Sequence, residues 1–303
     1  MGSVQQKNRE KGGNDIMKCV FLGLTTLDII HYLKRYPSSN EKVRADTQLF
    51  FAGGPAANAA VTCSSLGAEA ILVTGLGQQP LAGLARQDLE DHGVEVIDHT
   101  ARPEDLPIVS SIIVDESNGD RCVVYTRPDS SRLLANQDYS QLLAGADLLM
   151  LDGHYHEAAL ACVRRAKSLG LKTVLDGGSW KEGLRDILPY IDYAICSGDF
   201  YPPGCGDTES VVAYLKCIGI PNIAVSGGDA AIKVWQEKYM EIAIIETEVV
   251  DTLGAGDILH GAFCHYLGDG DFYQALASAS RVATLSCRYR GTRQWIHEKG
   301  KLD

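Results

Sequence analysis

The chain has 303 residues, 45% of them hydrophobic and 22% charged, with a formal net charge of −11. That is enough chain for one large core or two smaller ones, and an ordinary composition for a globular protein. An acid excess without clustered Lys and Arg argues against a nucleic-acid partner, and no apolar run approaches the roughly 20 residues that would span a bilayer. Nine cysteines (19, 63, 122, 162, 196, 205, 217, 264 and 287) contain no Cys-x-x-Cys pair. They read as reduced thiols of a cytoplasmic protein, not as a zinc or disulfide framework.

Residues 1–16 are polar and aperiodic and read as a disordered leader or cloning remnant. From residue 17 onward, short apolar runs bounded by Gly, Asp or Ser recur at 19–22, 70–74, 148–151, 173–175, 193–196 and 223–225, the pattern of buried parallel strands. Helical patterns separate or follow them at 58–66, 81–92, 157–169, 180–188, 208–218, 256–267 and 272–286. The alternation predicts an α/β fold over 17–303, with a doubly wound, mostly parallel sheet flanked by helices. Two segments break the rhythm, at about 42–52 and 108–127. The second turns back through Asn118-Gly119, a strong hairpin signal, and the two are expected to form a small separate sheet.

The sharpest chemical signal is Asp251-Thr252-Leu253-Gly254-Ala255-Gly256-Asp257, which runs straight into an apolar helix. A helix start exposes unpaired N–H groups and partial positive charge, and small residues there let an anion approach the backbone. Gly254, Ala255 and Gly256 supply such an anion hole. Asp257 in the same turn would repel a phosphate unless it served to take a proton from an incoming hydroxyl. The pattern points to phosphoryl transfer to an alcohol, although it lacks the Gly-Lys-Ser/Thr ending of a P-loop.

Other candidates are weaker alone. Asp28, after the first predicted strand, reads equally as a capping residue or as an acceptor for substrate hydroxyls. Gly53 and Gly54 allow close backbone approach, and Asn58 offers both donor and acceptors to a vicinal diol. His154 and His156 suggest a metal pair, but no third ligand of suitable spacing follows. His154 is balanced between sugar contact and a structural role.

Together these segments resemble the ribokinase-like (PfkB) carbohydrate kinases over residues 17–303, and the 249–257 and 22–30 stretches especially resemble the ketohexokinase branch. The resemblance implies ATP-dependent phosphorylation of a hydroxymethyl group on a small sugar, a ketose among the candidates, with Asp257 as base. It implies that Asp28, Gly53, Gly54, Asn58 and His154 meet the sugar, and that Arg127 faces it and could clamp an anionic acceptor. It places Ser226, Gly228, Ala279 and Ala283 beside ATP, and Asp251 and Thr252 at a monovalent cation, implying K⁺ as an activator. The small sheet becomes a lid over the sugar and the contact of a homodimer. Two departures stand out. Pro55 replaces a second asparagine usual in ketohexokinases, and Ser197-Gly198-Asp199-Phe200 replaces the Asn-x-x-Glu that organises magnesium in many members. Mg²⁺ is therefore expected on the triphosphate and water, with no direct protein ligand. The alternatives are a nucleoside kinase of the same family and a catalytically weak sugar sensor.

Overall fold

A computed structural model describes residues 16–117, 119–126, 129–268 and 270–302. In chain order, the first half contains β1 (Lys18–Leu22), β2 (Thr26–Leu33), β3 (Thr47–Gly53), α1 (Pro55–Ser65), β4 (Glu69–Thr74), α2 (Pro80–Asp91), β5 (Val94–Asp98), β6 (Ile108–Asp115) and β7 (Arg121–Tyr125). It continues through β8 (Leu148–Leu151), α3 (His156–Ser168), β9 (Lys172–Gly177), α4 (Leu184–Ile187), β10 (Tyr193–Ser197), α5 (Thr208–Ile218) and β11 (Asn222–Gly227). The last elements are β12 (Ala230–Trp235), β13 (Tyr239–Ile242), α6 (Ala255–Tyr266) and α7 (Phe272–Ser286).

Nine strands form the main sheet in the order β13-β12-β11-β10-β9-β8-β1-β4-β5. Those from β11 to β5 run parallel, and β12 and β13 add an antiparallel edge. Because strand side chains alternate between faces, each parallel strand feeds two cores. Cys19, Phe21, Leu148 and Met150 pack with α1, α2, α6 and α7, whereas Val20, Leu22, Leu149 and Leu151 pack with α3, α4 and α5. Burial on both faces explains why these strands read as unbroken apolar runs.

The second sheet has the order β3-β2-β6-β7. It holds its own small core of Ile30, Tyr32, Ile112 and Val114, against which Leu253 of the Asp251–Asp257 loop packs.

Several expectations shift. The stretch 26–33, for which no strand was expected, is β2, a central strand of the small sheet paired with both β3 and β6. Asp28 therefore belongs to the lid and not to the end of β1. Residues 42–46 carry no strand, and β3 starts at Thr47. The helix expected over 180–188 shrinks to the single turn of α4 followed by a 3₁₀ turn at Leu188–Tyr190, since Pro189 lacks an N–H and cannot extend an α-helix.

Candidate active site

The site is built where α1 and α6 cross. A Cβ on Gly261 of α6 would lie 2.2 Å from the Ala59 carbonyl oxygen of α1, so only glycine lets the two helices approach this closely. That approach brings Asn58 of α1 beside Asp257 in the first turn of α6, and its Nδ2 donates to Asp257 Oδ2 at 2.8 Å.

Gly254 precedes α6 in the left-handed region at φ 70°, and a Cβ there would also meet Thr292 Cγ2 at 2.6 Å. Glycine is thus doubly required at the turn. Nothing lies within 4 Å of the position a Gly256 Cβ would take, which leaves the backbone of the helix mouth open to an approaching anion. The Ala255 N–H, in contrast, already donates to the Thr252 carbonyl at 3.3 Å. Of the three positions expected to form the anion hole, Ala255 thus has its N–H already engaged.

Asp257 is partly buried, and its carboxyl is pushed up to about 7, first by burial and then by the charge of Asp176. The Asn58 hydrogen bond and His260 oppose the rise, and Asp28 adds to it. Asp28, 7% exposed, accepts from Thr26 Oγ1 at 2.6 Å. Burial raises its carboxyl against hydrogen bonds from Thr26 and Ser110 and the charge of Arg293. Gly53 exists to make room for it, since a Cβ there would sit 2.0 Å from Asp28 Oδ2. Gly54, at φ 95°, is required by the Leu24 carbonyl, 2.4 Å from its Cβ position.

Asn58 differs from expectation. Besides donating to Asp257 through Nδ2, its Oδ1 accepts from Arg293 Nη1 at 2.9 Å, so the amide links the arginine to the carboxylate. Arg293 is 4% exposed and is itself pinned by the Ala52 carbonyl at 2.7 Å and by Asp88 Oδ2 at 2.9 Å. Asp152, 1% exposed, ties strand ends together by accepting from the backbone N–H groups of Leu24, Ala56 and His154.

The remaining candidates divide. The His154 ring is partly buried, which lowers its proton affinity, while His156 pairs with Asp186 at 3.0 Å. Among the described residues no group of three or more His, Cys, Asp or Glu could hold a metal. Ser226 and Gly228 lie at the hairpin joining β11 to β12, Ser226 in register with Ser197 at the end of β10 and Gly228 at φ 68°. Ala279 is wholly buried in the core of α7 and offers no surface to a base, and Ala283 is partly buried against the same core. The Ala279 side chain serves helix packing. Asp251, 2% exposed, takes the Leu253 N–H on Oδ1, and the Tyr32 hydroxyl and Gly291 N–H on Oδ2. Thr252 Oγ1 accepts from Arg121 at 2.6 Å. Phe200 is buried on the edge of Trp180. Arg127 lies outside the described residues.

Residues 17–299 match the family described as pfkB family carbohydrate kinase. The chain belongs to that family. Among curated proteins, deoxyribokinase of Salmonella typhi is 24% identical over 300 residues, covering 91% of this chain and 94% of its own. Mouse ketohexokinase is 25% identical over 290 residues, covering 89% and 96%. The structure of Arabidopsis thaliana ribokinase complexed with ribose and ATP matches the fold with a TM-score of 0.74 at 20% identity, over 95% of this chain and 99% of that one. Ketohexokinase is thus one of several kinds of relative. The likeness does not single out that branch of the pfkB family.

Proposed function

We propose that this pfkB kinase transfers the γ-phosphoryl group of ATP to a hydroxymethyl group of a small sugar, with Asp257 as general base. The observation that carries the reading is the Asp257 carboxylate. It sits in the first turn of α6, is held at 2.8 Å by Asn58, and is pushed up to about 7 by burial and by Asp176. A base of that strength is well matched to neutral pH.

In the step itself the acceptor O–H gives its proton to Asp257, the alkoxide oxygen forms a bond to the γ-phosphorus, and the β–γ bridging P–O bond breaks to release ADP. The charge gathering on the transferred group meets the exposed amides at the mouth of α6, whose donors contribute about 10²–10³-fold each in such roles. Asp28 and Asn58 orient the polyol from the lid and from α1, and positioning supplies much of the remaining acceleration. Ser226 and Gly228 lie at a strand-end hairpin suited to the nucleotide.

Phe200 is apolar and buried where many members of the family keep a glutamate, so that position supplies no oxygen to a divalent cation, and Asp199 is the only carboxylate of that loop. Mg²⁺ would be held by triphosphate oxygens and water, neutralising phosphate charge. Asp251 takes three donors on its two oxygens, which leaves one lone pair on Oδ1 for a monovalent cation. The lid presents Phe50, Val124 and Tyr125 to the outside, apolar area suited to a second copy of the chain. Nine free cysteines, with Cys19, Cys63, Cys162, Cys196 and Cys264 buried, suit a reducing cytoplasm.

ATP consumption across ketoses, aldoses, nucleosides and sugar phosphates tests the reading. Turnover with a free sugar is expected. Turnover confined to nucleosides would reassign the acceptor, and none with any acceptor would favour a sensor.

A further inference from the structure

One turn beyond Asp257 on α6 lies His260, 5% exposed. Its Nδ1 is 2.7 Å from the Gly256 carbonyl oxygen and its Nε2 is 3.0 Å from the Ile195 carbonyl oxygen. Carbonyl oxygens only accept, so each contact needs an N–H on the ring, and a neutral imidazole has one. In either neutral tautomer a nitrogen lone pair would face a carbonyl lone pair at hydrogen-bond distance. Asp176 Oδ2 of β9, also buried, lies 3.5 Å from Nδ1 and supplies the counter-charge.

The groups acting on Asp257 come from four elements: Asp176 from β9, Asn58 from α1, Asp28 from β2, and His260 from its own helix. Three carboxylates converge there, and within this set only His260 can be positive.

We propose that His260 is a permanent imidazolium, paired with Asp176, and that it is the positioning residue that holds down the proton affinity of Asp257, so that more of the carboxyl is ionised and ready to accept the acceptor's proton. The inference rests on Asp257 being the base. The charge of His260, three residues on along the same helix, favours the carboxylate over the carboxylic acid, against the pull of burial and of Asp176. Without it the base would enter the cycle already protonated over much of the neutral range.

Two measurements test it. In the wild-type protein labelled with ¹⁵N-histidine, NMR is expected to show His260, assigned by its contacts with Gly256 and Ile195, carrying two ring N–H protons throughout pH 6 to 8. A single N–H, or titration within that range, would overturn the proposal. In His260→Gln the acid limb of kcat/KM is expected to move up by about one pH unit, roughly a tenfold loss at pH 6.5 that recovers above pH 8.5. A uniform loss at every pH, with the limb unmoved, would mark a packing role and overturn it as well. An active Asp257→Asn enzyme would instead remove the base assignment, and the protonation state of His260 would still be read independently.

Discussion

Asp257, Asn58 and Arg293 form a chain of contacts in which each member fixes the next. Asp88 and the Ala52 carbonyl hold the guanidinium, the guanidinium holds the Asn58 carbonyl, and the Asn58 amide holds the base. The carboxylate was legible in the sequence because it lies six residues from Asp251 in one loop. Arg293 was not, because 235 residues separate it from Asn58 and a lone arginine near the C-terminus carries no local signal. On the proposed reading, Asp28 meets the sugar from β2 of the small sheet. Its buried, acceptor-only carboxylate suits two hydroxyl donors of a sugar, and a hydrogen bond to a charged group is worth about 1.5–3 kcal/mol. Asp28→Ala is accordingly expected to raise KM for the sugar by roughly ten- to a hundredfold while KM for ATP changes less than twofold. Equal rises for both substrates would take Asp28 out of the sugar site.

At the scale of elements, the decisive contact is α1 against α6, and Gly261 is what permits it. Replacing Gly261 by Val would push Cβ into the Ala59 carbonyl and Thr62, an overpacking that typically costs about 1–3 kcal/mol. Thermal unfolding of Gly261→Val should show a Tm lowered by several degrees. Its kcat should fall further than the loss of folded protein explains, because Asn58 and Asp257 separate. A variant destabilised but fully active per folded molecule would show that the helix crossing does not set the base. Elements buried on both faces were readable as apolar runs, and α3, α5, α6 and α7 fell within a residue or two of their expected bounds. The strands that escaped notice lie outside that regime. In β2 the polar Thr26, Asp28 and His31 interrupt the apolar positions, and β12 and β13 mix Lys233 and Glu241 among apolar residues, so neither forms a continuous run.

Across the whole molecule, the small sheet meets the Asp251–Asp257 loop. Tyr32 of the lid donates to Asp251, Leu253 packs on the lid core, and Arg290 joins Glu116 beyond the end of β6 while lying 5.3 Å from the centre of the Tyr32 ring. Such contacts join the small sheet to the loop that opens α6 and fix Asp251 in it. The fold also raises the proton affinity of the partly buried Asp257 carboxyl, the proposed base. Above its folded value near 7, the carboxylate is charged in a site that disfavours charge, so its ionisation lowers stability progressively as pH rises from about 4 to about 7. Activity has the opposite dependence, since only the carboxylate accepts a proton. The most direct measurement compares wild-type and Asp257→Asn in kcat/KM against pH, alongside Tm at pH 8. The expected result is a wild-type acid limb near pH 7 and a variant slower by about 10²–10⁴-fold with that limb abolished, folded and with Tm no lower than wild type. An Asp257→Asn enzyme that retains wild-type turnover and the same acid limb would contradict the account.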